Sequence, residues 1–255
     1  MRSIIAVAAA AVGGLLASGS KRVGHRTLCA LVSFAAGALL AVTVISIIPE
    51  TFEILGILPS LGCLAAGTLI FAAIGKYVYF LCPACAASET EHGGGYMRLG
   101  ILMMVAMGIH STVDGLAISA GSEVAKLSAT STVGLLILFA VSYHKIPEGM
   151  ALVCIARLGG YSRLKAFTTA ILIELTTTVG AFIGIFLLSG VDNIWLGITL
   201  GIVAGSFIYT VGFALLKEMY AHEKNSIIIY VILGFSSIAA LNLLMAYTGI
   251  GGHAH

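Results

Sequence analysis

Apolar residues dominate this chain in long blocks separated by short clusters of charged and turn-forming residues. A helix that crosses a bilayer needs about 20 consecutive, mostly apolar residues. Reading the blocks between breaks predicts eight such helices, roughly over 3–19, 27–48, 56–81, 97–121, 130–156, 164–189, 193–217 and 226–248. The connections are short, so the pattern predicts a single transmembrane domain over residues 1–255, with its longest break at about 82–96 and no second soluble domain. The first block, MRSIIAVAAAAVGGLLASGS, also has the basic start, apolar stretch and small-residue end of a signal peptide.

Composition strengthens this picture. Of 255 residues, 59% are hydrophobic and 9% charged, against about 25% charged in an average soluble domain. The mean hydropathy is +1.08. So few charges cannot cover a water-facing surface, and lipid is the expected solvent for most of the chain. The net charge of +2 gives no reason to expect nucleic acid as a partner. The five cysteines, Cys29, Cys63, Cys82, Cys85 and Cys154, are too few and scattered for a disulfide framework.

Basic residues set an orientation, because Lys and Arg concentrate on the cytoplasmic side. If the N-terminus is outside, Lys21, Arg22, Arg26, Lys76, Arg98, Arg157, Arg163, Lys165, Lys217 and Lys224 all fall inside. Only Arg2 and Lys126 fall outside, and Lys145 lies within a helix. The bias predicts an even number of crossings with both termini outside. Glycines recur at four-residue spacing, at Gly180 and Gly184 and at Gly197, Gly201 and Gly205. That spacing puts them on one helix face, for close static packing or for a smooth sliding surface.

Ionisable residues within membrane helices are expensive to bury, and each marks a functional site by default. The fourth helix reads GIHSTVDGLAISAG, with His110 and Asp114; the fifth reads SYHKIPEGMALV, with His144, Lys145 and Glu148; the sixth reads AILIELTTTVGAF, with Glu174. His110 and Asp114 are four residues apart and share a helix face, as do His144 and Glu148. HSTVDGLA and HKIPEGMA are variants of one pattern. Two antiparallel neighbours would bring two imidazoles and two carboxylates together, a ligand set suited to zinc and similar divalent ions. The set contains no sulfur, which disfavours Cu(I). Pro147 removes a helical hydrogen bond to the carbonyl of Tyr143 and is expected to bend the helix beside His144. The alternative to a metal site is a polar network that joins helices.

The segments HSTVDG and HKIPEG resemble the paired motifs of the ZIP (Zrt/Irt-like) family of metal transporters. FAAGALLAVTVISIIPE, from Phe34 to Glu50, is similar to the family's second helix, and AGSFIYTVGFALLKE, from Ala204 to Glu218, to its seventh. The resemblance implies an all-α bundle of eight transmembrane helices, transport of a divalent ion toward the cytoplasm, elevator-type alternating access, a homodimer and a place in the cell membrane. It implies His110, Asp114, His144 and Glu148 as metal ligands, with Glu174 matching an acid used by some members. Ser111 replaces the usual Asn, and its neutral hydroxyl is a poorer ligand. Ser46 replaces a second-helix His. Lys145 stands where two-metal members place a ligand, and an ammonium cannot bind metal. The expectation is a one-metal site in which Lys145 takes the place of a second ion; the alternative is that Lys145 snorkels to an interface.

Zinc is the expected cargo, with Fe2+, Mn2+, Cd2+ and Co2+ compatible with the same ligands. The other readings are an intramembrane zinc hydrolase, with Ser111 as an accessory group, and a metal sensor without flux; no HExxH pattern supports a protease. Secondary signals are a CxxC at Cys82 and Cys85 followed by Glu89, Glu91 and His92, an acidic set of Glu50, Glu53, Glu123 and Asp192, and His253 and His255 at the tail.

Overall fold

A computed structural model describes residues 2–19, 25–77, 96–127, 132–190, 192–215 and 224–248. Among these there is no β-strand. The helices are α1 (Arg2–Gly19), α2 (His25–Val42, continued by Thr43–Ile47 and Ile48–Leu55), α3 (Ile57–Tyr77), α4 (Tyr96–Leu127), α5 (Val133–Leu158), α6 (Arg163–Glu174 and Thr176–Leu188), α7 (Asn193–Tyr209, continued by Thr210–Leu215) and α8 (Lys224–Tyr247). Among the described residues, seven helices are long and apolar enough to cross a membrane; α4, which holds His110 and Asp114, is not counted among them.

Most boundaries fall where the apolar blocks end, with instructive exceptions. α2 was expected to stop near Pro49 but runs on to Leu55. Thr43–Ile47, just before the proline, is π-helical. The wider turn accommodates a residue that has no N–H to donate. Gly56, at φ 79°, then reverses the chain in a conformation that suits glycine. α4 runs one to two turns past its expected end to Leu127, and Lys126 pairs with Glu123 at 2.6 Å on that extension. α5 passes through Pro147 without interruption.

Helix pairs are joined at glycines, and the pattern is regular. A Cβ on Gly13 would strike the carbonyl oxygen of Ile146 in α5, and one on Gly149 would strike that of Ala10 in α1. The same reciprocal contact joins α4 to α6 (Gly115 on Thr177, Gly180 on Thr112), α2 to α8 (Gly37 on Val231, Gly234 on Phe34) and α3 to α7 (Gly67 on Ile202, Gly205 on Leu64). In lipid there is no hydrophobic drive between helices, so close backbone approach at small residues supplies the attraction. Each contact touches a glycine and the residue three before its partner glycine. Exchanging α1 with α6, α2 with α7, α3 with α8 and α4 with α5 maps the four pairs onto one another, which is the pattern of an inverted repeat.

The locked pairs assemble into two bundles. α1, α4, α5 and α6 pack together, and α2, α3, α7 and α8 form the other group. No described glycine makes a close contact across the boundary between them. That boundary is filled by side chains: Leu39, Val42, Ile47, Leu200, Val203 and Phe207 from one bundle share a buried core with Ile118, Leu136, Ile137 and Val141 of the other. Phe34 meets Tyr143 there, with ring centroids 5.8 Å apart. The evenly spaced glycines Gly180 and Gly184 face α4, and Gly197, Gly201 and Gly205 face α2 or α3. They therefore serve packing within a bundle rather than a sliding surface. Arg2 donates to Ser122 at 3.1 Å, which puts the start of α1 beside the end of α4.

Candidate metal centre

The centre forms where α4, α5 and α6 meet, near the middle of each. On α4 and α5 the four-residue spacing turns His110 and Asp114, and His144 and Glu148, toward a common point. On α6 the helix breaks at Leu175, directly after Glu174. The Thr176 hydroxyl lies 2.7 Å from the Ile173 carbonyl and 2.9 Å from that of Gly108, tying the break to α4. The break thus holds Glu174 at the level of the motif residues.

His110, Asp114, His144 and Glu148 each offer a ligand atom, and these atoms all lie within 4.8 Å of one another. The two Nε2 atoms are 2.8 Å apart, with the rings nearly perpendicular at 79°. His144 Nε2 is 3.6 Å from Asp114 Oδ2 and 3.3 Å from Glu148 Oε2. His110 Nε2 is 3.8 Å from Asp114 Oδ1. Zn–N and Zn–O bonds of about 2.0–2.2 Å place the ligand atoms of a tetrahedral ion about 3.3–3.6 Å apart, so to share one ion the two Nε2 atoms must part slightly and the more widely separated ligand atoms must close in.

Lys145 shows the largest difference from the alternatives open in the sequence. It does not snorkel: its side chain is completely buried. Nζ lies 2.6 Å from Glu148 Oε2, 2.9 Å from Asp114 Oδ2 and 3.0 Å from Glu174 Oε2, and donates to Ser111 Oγ at 2.7 Å. Ser111 in turn lies 3.3 Å from Glu148 Oε1 and 3.5 Å from Glu174 Oε2, within reach of donating to either. The ammonium is therefore an internal cation held among the acids, and it shares Asp114 Oδ2 and Glu148 Oε2 with His144. If all three carboxyl groups are ionised, they and the ammonium sum to two negative charges, which one divalent ion would balance. Charges buried this deeply persist only when paired and hydrogen-bonded. Glu174 Oε1 and His110 Nδ1 are buried with no hydrogen-bond partner among the described residues.

All six residues singled out in the sequence, His110, Ser111, Asp114, His144, Glu148 and Glu174, thus lie in one group with Lys145, and all are buried except His144, which is partly exposed. Ser46 is buried in the π-helical stretch of α2. Cys29, Cys63 and Cys154 carry no disulfide. Cys82, Cys85, Glu89, Glu91, His92, His253 and His255 lie outside the described residues. The part played by the motif glycines, Gly115 and Gly149, was missed; the signal was their recurrence in both motifs directly after the acid.

Comparison with known proteins fits this geometry. The chain is 28% identical over 251 residues to "Zinc transporter ZupT" of Streptococcus mutans, covering 92% of each protein. It is 28% identical over 262 residues to the protein of the same name from Corynebacterium efficiens, covering 95% of each. A third such relative, from Chlorobium chlorochromatii, is 29% identical over 251 residues, again covering 92% of each. The family described as "ZIP Zinc transporter" matches residues 83–242, which include both paired motifs and Glu174. Its members are transporters and not enzymes, so the hydrolase reading falls away. The chain is an integral membrane protein of the ZIP zinc transporter family.

Proposed function

We propose that the protein moves zinc toward the cytoplasm through a single-ion site made by His110, Asp114, His144 and Glu148, with Glu174 and Ser111 in its outer shell. The observation that carries this reading is the convergence of four ligand atoms within 4.8 Å at mid-helix depth, in a chain whose named relatives are zinc transporters. Fe2+, Mn2+, Cd2+ and Co2+ are competing cargo, because imidazole and carboxylate ligands also suit them. α4 serves as the eighth crossing, since its 32 residues reach about 48 Å at 1.5 Å per residue, and both termini then lie outside. The distribution of Lys and Arg supports this orientation and insertion in the cell membrane. The carrier works as a homodimer.

Alternating access of elevator type is supported by where the backbone contacts fall. Glycine locks join helices within each bundle, while no described glycine makes such a contact across the boundary, where side chains pack together. The bundle of α1, α4, α5 and α6, which holds the whole site, then moves as a unit against the other.

The test is purified protein in liposomes loaded with a zinc-sensitive dye. Metal binding accompanied by no dye response would favour a sensor over a carrier. Elemental analysis of the purified protein is expected to give one transport-site ion per chain, because the Lys145 ammonium is already held among the acids. Two ions per chain would overturn that stoichiometry.

Binding is also expected to weaken on acidification. Histidine must be neutral to ligate metal, so protons compete with zinc as the pH falls through the ordinary histidine range near 6.5. Affinity measured from about pH 7.5 to 5.5 checks this, and a flat profile would exclude His110 and His144 as ligands.

A further inference from the structure

Each of the two acids proposed as ligands, Asp114 and Glu148, sits inside a glycine lock. On α5 the contact with α1 is made at Ile146 and Gly149, and Glu148 lies between them. On α4 the contact with α6 is made at Thr112 and Gly115, and Asp114 lies between them. The opposing glycines, Gly13 on α1 and Gly180 on α6, belong to neither motif and supply no ligand atom. Both are buried. A Cβ at either would meet backbone carbonyl oxygen, which no rotamer change can relieve.

The geometry points to Gly13 and Gly180 as positioning residues of the metal site: they let α1 and α6 press the backbones of α5 and α4 inward and so set the separation of Glu148 and Asp114. The physical argument is one of distance. Ordinary contact begins near 3.4 Å, and a methyl group at either glycine would fall far inside that limit. The helices would have to part by about 1 Å or more, while a working site tolerates errors of about 0.5 Å. The displacement falls on the turn that carries the acid. It also falls on α6 less than two turns after Glu174, so Gly180 bears on two of the carboxylates that hold Lys145.

The structure supplies its own controls. Gly14 is next to Gly13 on the same helix, yet a Cβ there would meet only side chains, Phe167 at 3.2 Å and Val153 at 3.4 Å. Gly37 and Gly234 form an equivalent lock between α2 and α8, helices that supply none of the four ligand atoms.

The inference rests on the cluster being the metal site, and the experiment separates the two. Full-length wild type, G13A, G180A, G14A and G234A are purified in detergent. Zinc affinity is read by dye competition, and ligand geometry by the visible d–d absorption of Co2+. G13A and G180A are expected to lose about 10-fold or more in affinity, in the range seen when groups supporting a ligand are disturbed, with a changed Co2+ spectrum. G14A and G234A are expected to match wild type in both. Wild-type affinity and spectrum in folded G13A and G180A would overturn the inference while leaving the metal site intact. An equal loss in G234A would also overturn it, as a general effect of loosened packing. Failure of wild type to bind either metal would remove the site and the inference together. If the variants do not survive purification, the rise in unfolding temperature on adding zinc to membranes is compared instead. It is expected to be smaller in G13A and G180A than in G37A and G234A, and equal rises would overturn the inference.

Discussion

Replacing His144 or Glu148 with alanine is expected to stop metal uptake into dye-loaded liposomes and to weaken zinc binding by on the order of 100-fold or more. Loss of a group that merely supports a ligand costs about 10–100-fold, and these residues are proposed as ligands themselves. His144 lies at the centre of the cluster, with Nε2 within 3.6 Å of ligand atoms from His110, Asp114 and Glu148. Glu148 has a second role, because Oε2 lies 2.6 Å from the Lys145 ammonium. The two variants should therefore differ in stability. H144A removes a group that can be neutral and should unfold close to the wild-type temperature in chelator. E148A takes a partner from a buried cation and should unfold lower. Uptake at the wild-type rate in both variants would exclude this cluster as the route for the ion.

The second large effect is expected from Lys145→Met. Methionine nearly matches the length of the lysine stem and removes only the charge and its hydrogen bonds. Asp114, Glu148 and Glu174 then face one another in a site closed to solvent. Breaking a buried ion pair by removing one partner costs about 3–5 kcal/mol. The loss should appear as a lower unfolding temperature of K145M in chelator. Zinc should restore much of it, since a ligand that binds only the folded state stabilises it by mass action. The zinc-induced rise in unfolding temperature should thus be larger in K145M than in wild type. If Lys145 acts as a resident cation, K145M is also expected to accept a second divalent ion. An unfolding temperature in chelator unchanged from wild type would show that the ammonium does not balance the acids.

Much of the site was legible because the membrane makes polar residues conspicuous. His110, Asp114, His144, Glu148 and Glu174 stand out in apolar helices, and the four-residue spacing fixes which of them share a face. Lys145 was a different case. Its place in the motif suggested a substitute for an ion, but a lysine stem about 6 Å long can also reach an interface. Only the positions of Glu174, on the next helix, and Ser111, on the preceding one, gave its ammonium a complete set of buried partners. The glycines show a similar limit. Their spacing announced close packing, yet whether they faced a moving boundary or a fixed neighbour depended on which helix lay opposite, and local spacing carries no information about that.

The sequence alone determined the solvent, the helical class and the pairing of His with acid on two helices, because hydrophobic run length and helical period are local properties of the chain. Tertiary structure alone decided that α1 backs α5 and α6 backs α4, that Lys145 lies among three carboxylates, and that glycine contacts stay within two bundles. These depend on partners more than thirty residues away for the glycine locks. They follow from how closely two backbones can approach, a property of pairs of helices that no single segment encodes.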